Sequence, residues 1–252
     1  MFLLINNKNN NEITVVSVFK ETTIIIRSLT MRGLSIDIGV HNMAFYIEEF
    51  DIDELKKLAC PKILRYDDNG CPTPKWKELL KKVYKNGKKV FHDVVDLSDE
   101  KGTQFDVKTF INLSNYLESK MNEIDLCDFV IIEQQLKKNP MAQRLEQHCV
   151  SWLTFMYLDT KTIVIFPARN KTQVLGAPKK VLDSKGKLKK MTKYQRKKWA
   201  CDETSYIFNL RDDIESLHFV FSINRKKADD LSDVTVQLNA FKIKCFIDKQ
   251  LR

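Results

Sequence analysis

Leu34-Ser-Ile-Asp-Ile-Gly-Val-His-Asn-Met-Ala, residues 34–44, is an apolar segment that carries one acid, Asp37. Leu34 to Ile38 reads as a strand, Gly39 breaks it, and Met43 to Glu48 reads as a second strand returning as a hairpin. A carboxylate in a buried strand costs several kcal/mol unless a cation or a hydrogen-bond donor compensates it. Asp37 therefore needs a partner.

Downstream, Asp106 to Glu123 has a helical period through Val107, Phe110, Ile111, Leu117 and Met121. Phe129-Val-Ile-Ile is a short run of buried-strand type that ends at a second acid, Glu133. Pro140 suits the first turn of a helix whose apolar face runs through Met141, Leu145, Cys149, Trp152, Phe155 and Met156. Thr162 to Phe166 is a further strand, and helices follow over about 192–210 and 228–247. This order describes an α/β fold, a mixed β-sheet flanked by helices. Residues 1–30 are expected to be an N-terminal extension, a dispensable tail or a short extra strand, with Met31 a plausible alternative start. Residues 31–252 then form one domain, with an insertion at about 50–104 that holds a helix near 75–85 and a strand near 89–96.

Composition removes several function classes. The chain has 252 residues, 43% apolar, enough for a sizeable core. Its seven glycines make neither G-x-G-x-x-G nor a P-loop, so no nucleotide cofactor is expected. An actin-like ATPase, which residues 37–42 also suggest, needs a second such domain and further glycine-rich loops. No apolar run reaches the roughly 18 residues that span a bilayer. The six cysteines form no C-x-x-C and read as small buried hydrophobes, which points to an intracellular, reducing compartment. If the protein is viral, that compartment is the host cytoplasm or nucleus.

Charge is concentrated. Between Lys179 and Lys198 stand ten basic residues, Lys179, Lys180, Lys185, Lys187, Lys189, Lys190, Lys193, Arg196, Lys197 and Lys198, against one acid, Asp183. The net +9 of this stretch equals the formal excess of the whole chain. It is the footprint expected for a polyanion such as DNA. Lys75 to Lys89 is a weaker basic run around Trp76 and Tyr84.

The acids form their own pattern. Asp37 and Glu133 lie on strands, and Asp229, Asp230 and Asp233 open the last helix. Residues three apart on a helix face the same way, so Asp230 and Asp233 can serve one site, with Asp229 the alternate. Carboxylates gathered this way suit Mg²⁺ and can hold two ions for phosphoryl transfer. Taken singly, each acid also has an ordinary reading as a turn residue, a surface residue or a first-turn helix acid.

Four blocks carry a resemblance: Leu34 to Ala44; Val130-Ile-Ile-Glu133-Gln-Gln135 with Asn139; Pro167-Ala-Arg-Asn-Lys171-Thr-Gln-Val174-Leu-Gly176; and Lys226-Lys-Ala-Asp229-Asp230-Leu-Ser-Asp233. Together they resemble the RNase H-like Holliday junction resolvases of RuvC and poxvirus type. The resemblance implies a homodimeric, Mg²⁺-dependent endonuclease, with Mn²⁺ able to substitute, that makes paired symmetrical nicks in four-way DNA junctions during recombination or resolution of replicated DNA. It implies catalytic and metal-binding roles for Asp37, Glu133, Asp230 and Asp233, and a role for Lys171 at the scissile phosphate. Leu136 stands where RuvC carries an aromatic wedge, and the segment 50–104 exceeds the usual linker. An RNase H-like nuclease acting on RNA:DNA hybrids or other branched DNA, and a non-catalytic DNA-binding relative, are the competing readings.

Overall fold

The computed structural model describes residues 2–7, 12–17, 23–27, 30–98, 107–136, 138–182, 186–222 and 225–250. Near the N-terminus, β1 (Phe2–Asn7), β2 (Glu12–Ser17) and β3 (Thr23–Arg27) pair as an antiparallel sheet of their own. The main sheet contains β4 (Thr30–Asp37), β5 (Met43–Asp51), β6 (Gly87–Val95), β7 (Phe129–Gln134) and β8 (Thr162–Pro167). Its order is β6-β5-β4-β7-β8. β4 pairs antiparallel with β5, and β5 with β6, whereas β4–β7 and β7–β8 are parallel. This is the mixed RNase H-like arrangement that the sequence led us to expect.

Between β5 and β6 lie α1 (Ile52–Lys56), a 3-10 turn at Lys62–Leu64 and α2 (Pro74–Lys85). The strand read near 89–96 thus belongs to the main sheet, and the part of 50–104 that stands apart from the sheet is residues 52–86. Adjacent Lys88 and Lys89, and the polar pair His92 and Asp93 between its apolar residues, hide the membership of β6, an edge strand of which only His92 is buried. Residues 99–104 of that segment lie outside the described residues.

α3 (Val107–Ser119) and α4 (Met121–Asp125) lead from β6 across to β7, and α5 (Pro140–Tyr157) joins β7 to β8. After β8 come α6 (Arg169–Val174), the short hairpin β9 (Val181–Leu182) and β10 (Leu188–Lys189), α7 (Lys193–Leu210), α8 (Ile214–Ser222) and α9 (Arg225–Lys242). A π-helical turn over Ile243–Ile247 ends the last helix. The sequence reading lacked α6, α8 and the β9–β10 hairpin. In α3 the helical period holds, with Leu117 buried and Phe110 packed against the core, but Val107 and Ile111 point outward while Thr109 and Leu113 are buried.

Strand alternation divides the core into two layers. Leu34, Ile36, Phe45, Ile47, Val130 and Ile132 face α3 and α5. Ala44, Tyr46, Phe129 and Ile131 face the other way, toward α2, α7 and α9. Gly33 is required on this second face, since a Cβ there would stand 2.2 Å from the Phe129 ring. α9 lies directly on the sheet, and the Gln237 amide donates to Ser35 Oγ and to the Ile36 carbonyl, both at 3.1 Å. Beneath it, buried Glu48 accepts from Tyr46 at 2.6 Å and from Arg211 at 2.8 Å, and also pairs with Lys242. Burial works against the Glu48 carboxylate, but Arg211 and then Lys242 overcome it and hold its pKa down at about 2.

The six cysteines are all free thiols. Cys60, Cys127 and Cys149 are buried as expected, whereas Cys71 is exposed on the turn before α2. Among the described residues no helix is long and apolar enough to cross a membrane.

Candidate active site

The site lies where β4 and β7 end side by side. Ile36 pairs with Ile132 in the parallel register, so Asp37 and Glu133 each follow the last pair by one residue. Neighbouring strands lie about 4.8 Å apart, which brings the two carboxylates together. By alternation Asp37 shares a face with Ser35, and Glu133 with Ile131, the face covered by α9. The Gln237 clamp sets α9 against β4, and the first turns of that helix present Asp230 and Asp233 to the strand ends.

Lys171 enters from α6, which follows β8 directly, and its side chain is only 7% exposed. Its Nζ lies 2.6 Å from Glu133 Oε2, 3.5 Å from Asp233 Oδ2 and 3.9 Å from Asp37 Oδ2. Burial would depress this ammonium, but Asp233, Glu133 and Asp37 together raise its pKa above the ordinary value. Glu133 is pushed well above the carboxylate range by burial and then by Asp37, against the opposing pull of Lys171. Burial is also the main cause that raises Asp233. Asp230 reaches about 7, through burial and the nearby Asp37 and Asp233, with Lys197 opposing.

Asp229 turns to a different neighbourhood. It lies 3.3 Å from Lys197 Nζ and accepts from the Cys201 thiol at 3.4 Å. Lys197 stands 3.9 Å from Asp230 as well, and burial, which would lower its pKa, is overcome by Asp230, Asp229 and Asp233. The structure therefore gathers Asp37, Glu133, Asp230, Asp233 and Lys171 in one centre and attaches Asp229 at its edge. Lys197, expected to face DNA, pairs with Asp229 and Asp230 at this centre. Nothing local in a run of lysines distinguishes it, and only the docking of α7 against α9 reveals its partners. Gln135 was quoted only as part of a motif, yet its amide donates to Asp37 at 3.4 Å and its backbone N–H to Glu146 at 2.7 Å.

Of the remaining basic residues, Lys179, Lys190 and Arg196 line a groove on the far side of α6. Lys180, Lys187, Lys189, Lys193 and Lys198 are exposed. Lys185, like Asp183, lies outside the described residues.

No family model matches this sequence. The chain is similar to two viral proteins. It is 28% identical over 222 residues to the uncharacterized protein 170L of Invertebrate iridescent virus 6, covering 82% of this chain and 87% of that one. It is 27% identical over 220 residues to the uncharacterized protein 97L of Invertebrate iridescent virus 3, covering 82% and 97%. Among solved structures, it is similar to Thermus thermophilus RuvC, with a TM-score of 0.47, 9% identity and 86% and 98% of the two chains covered. The T. thermophilus RuvC complex with a Holliday junction substrate gives 0.44, 8%, 84% and 94%. The yeast mitochondrial Holliday junction resolvase Ydc2 gives 0.46, 12%, 84% and 79%.

The donor set fits a hard divalent cation. Asp37, Glu133, Asp229, Asp230 and Asp233 offer carboxylate oxygens, and Lys171 and Lys197 neutralise only two of the five charges. Burial first, and neighbouring carboxylates after it, raise the proton affinity of Glu133, Asp230 and Asp233. Among the described residues, no three acid, histidine or cysteine side chains stand as a ready-made metal shell. The Lys171 ammonium sits between three of the carboxylates.

Proposed function

We propose that this protein is a Mg²⁺-dependent endonuclease that resolves four-way DNA junctions. The observation that carries the reading is the convergence of four carboxylates and one buried lysine, from β4, β7, α6 and α9, at the end of the sheet. Asp37, Glu133, Asp230 and Asp233 would hold the ions, two per site, with Mn²⁺ able to replace Mg²⁺. When bound, such ions lower the pKa of a water and offset charge on the phosphate.

The chain's own groups do the rest. Asp37 and Glu133 are fixed by strand ends, so they do not have to reorganise as charge develops. Gln135 donates to Asp37 and orients that carboxylate. Lys171 supplies a positive charge within the acid cluster that would balance charge developing on the phosphate, an electrostatic role rather than a covalent one. The placement of Lys171 supports a resolvase over a hybrid-type RNase H nuclease, because the Pro167 to Gly176 pattern belongs to the resolvase resemblance and delivers its lysine into the acid cluster.

A junction presents two equivalent strands, which a two-fold dimer matches with two equivalent sites. α5 buries Ala142, Leu145, Cys149 and Leu153, yet leaves Met141, Phe155 and Met156 exposed, Phe155 at 80%. That outer strip is the proposed dimer seam. The relatives in two viruses support action inside an infected host cell.

The deciding experiment incubates purified protein with a mobile four-way DNA junction, a linear duplex and an RNA:DNA hybrid, with and without Mg²⁺. Paired, ligatable nicks on the junction alone, dependent on metal, are expected. Cleavage of the hybrid alone would overturn the resolvase reading, and tight junction binding with no nick under either metal would make the protein a non-catalytic relative.

A further inference from the structure

α6 separates two sites of opposite charge. Lys171 faces the acids, whereas Asn170, Thr172 and Gln173 face a groove of about 710 Å³. Cations reach this groove from three separate parts of the chain: Lys62 from the segment 52–86, Lys179, Lys190 and Arg196 from the basic stretch, and Lys244 from the turn after α9.

The groove is built, not assembled from loose surface lysines. Tyr66 donates to the Gln173 carbonyl at 2.8 Å, and Lys179 Nζ lies 4.5 Å above its ring, so segment 52–86, α6 and the basic stretch meet at one side chain. Arg65 is buried and stacks over Trp76 at 4.1 Å. It donates to the Cys60 carbonyl at 3.1 and 3.0 Å and pairs with Asp248. That pair ties segment 52–86 to the C-terminal turn, and it also occupies the one acid among the residues lining the groove. Partial burial, then Lys62, and further Arg65 and Arg169, depress the Lys244 ammonium, against a smaller opposing pull from Asp248. The groove is thus short of negative charge.

We infer that this groove binds the sugar–phosphate backbone of a duplex DNA arm, and that segment 52–86 exists to complete it. Lysine and arginine with Asn, Thr, Gln and Tyr are the side chains that contact phosphate oxygens without reading sequence. Cations spread along an open trough suit a repeating polyanion better than one small anion. The inference deepens the nuclease reading and depends on it only for DNA as the partner. A backbone held here lies across α6 from the acid cluster that Lys171 faces.

The test is the salt dependence of binding to a labelled duplex and a labelled four-way junction, in EDTA, over roughly 50–200 mM salt. The full chain is compared with the triple variant Lys62→Ala, Lys190→Ala, Lys244→Ala. A control triple, Lys77→Ala, Lys82→Ala, Lys85→Ala, removes the same charge from exposed positions on α2 outside the groove. The expected result is a loss of about 0.9 in the log–log slope per lysine, roughly 2.7 in all, for the groove triple on both DNAs, with the control at the wild-type slope. Lys62→Ala alone, at an exposed position, should lose about 0.9 and serves if the triple variant folds poorly. Wild-type slope in the groove variants, or equal losses in groove and control, overturns the inference. Wild-type protein that binds duplex through the groove but never nicks leaves the groove standing and removes the nuclease reading. Protein that binds neither DNA removes both.

Discussion

Lys171 Nζ lies 2.6 Å from Glu133 Oε2, and the same ammonium reaches Asp233 and Asp37 within 3.9 Å. One cation therefore stands among three carboxylates at the sheet's end. Lys171→Gln leaves those acids facing one another and should destabilise the metal-free protein by about 3 kcal/mol at neutral pH. The loss should shrink as the pH falls toward 5 and the acids take up protons. Urea denaturation at both pH values reads this; equal losses would refute it.

Asp37→Asn and Glu133→Gln should each lower junction cleavage roughly a thousandfold or more, the scale of losing a group that acts in the transition state. Junction binding should stay within a few-fold of wild type. Near-normal cleavage by either variant excludes it from the centre. Single-turnover kinetics beside a gel-shift titration separates the two effects.

Asp229 and Asp230 are adjacent in sequence but differ in surroundings. Asp230 interacts with Asp37 and Asp233, whereas Asp229 is held by Lys197 and Cys201. Asp230→Asn should therefore be nearly as inactive as Asp37→Asn, and Asp229→Asn should retain most activity. The reverse ranking in the same assay would exchange their roles.

His92 gives the fold a pH dependence away from the acids. Its Nε2 lies 3.1 Å from the Leu231 carbonyl, which can only accept, so the ring carries its proton on that nitrogen. Burial lowers its pKa from 6.5 to about 3. The unfolded chain then binds the extra proton first, so this contribution to stability is full above pH 6.5 and is lost as the pH falls toward 3. The slope approaches about 1.4 kcal/mol per pH unit. His92→Leu should flatten that part of the stability–pH curve, and an unchanged slope would place the acid sensitivity elsewhere.

Glu48→Gln leaves Arg211 and Lys242 buried without their anion. The expected cost is about 3–5 kcal/mol, seen as a lower urea midpoint at unchanged m-value.

Much of the centre was legible along the chain, because strands and helices expose their acids through local patterns. Asp37 interrupts an apolar strand, Glu133 ends another, and the three-residue spacing of Asp230 and Asp233 follows from helix geometry. Lys171 was legible only through the resemblance of its motif. Other features needed the third dimension. Lys197 sits in a run of like residues, and only packing of α7 on α9 selects it. β6 opens on two adjacent lysines and breaks its apolar residues with His92 and Asp93, so its place in the sheet was hidden. The period of α3 was legible and Leu117 and Phe110 pack inward, but Val107 and Ile111 are apolar yet exposed while Thr109 is buried, which composition does not reveal. The groove joins residues 62, 190 and 244, a proximity that no local pattern encodes.

The order of the acids along the chain sets when the centre can exist. Strand β4 precedes α9 along the chain, and the Gln237 clamp forms only after both are made. A nascent chain holds Asp37, Glu133 and Lys171 while Asp230 and Asp233 are still unmade. The five-residue cluster is therefore complete only once α9 has docked on the sheet, so its integrity reports on the packing of the last helix.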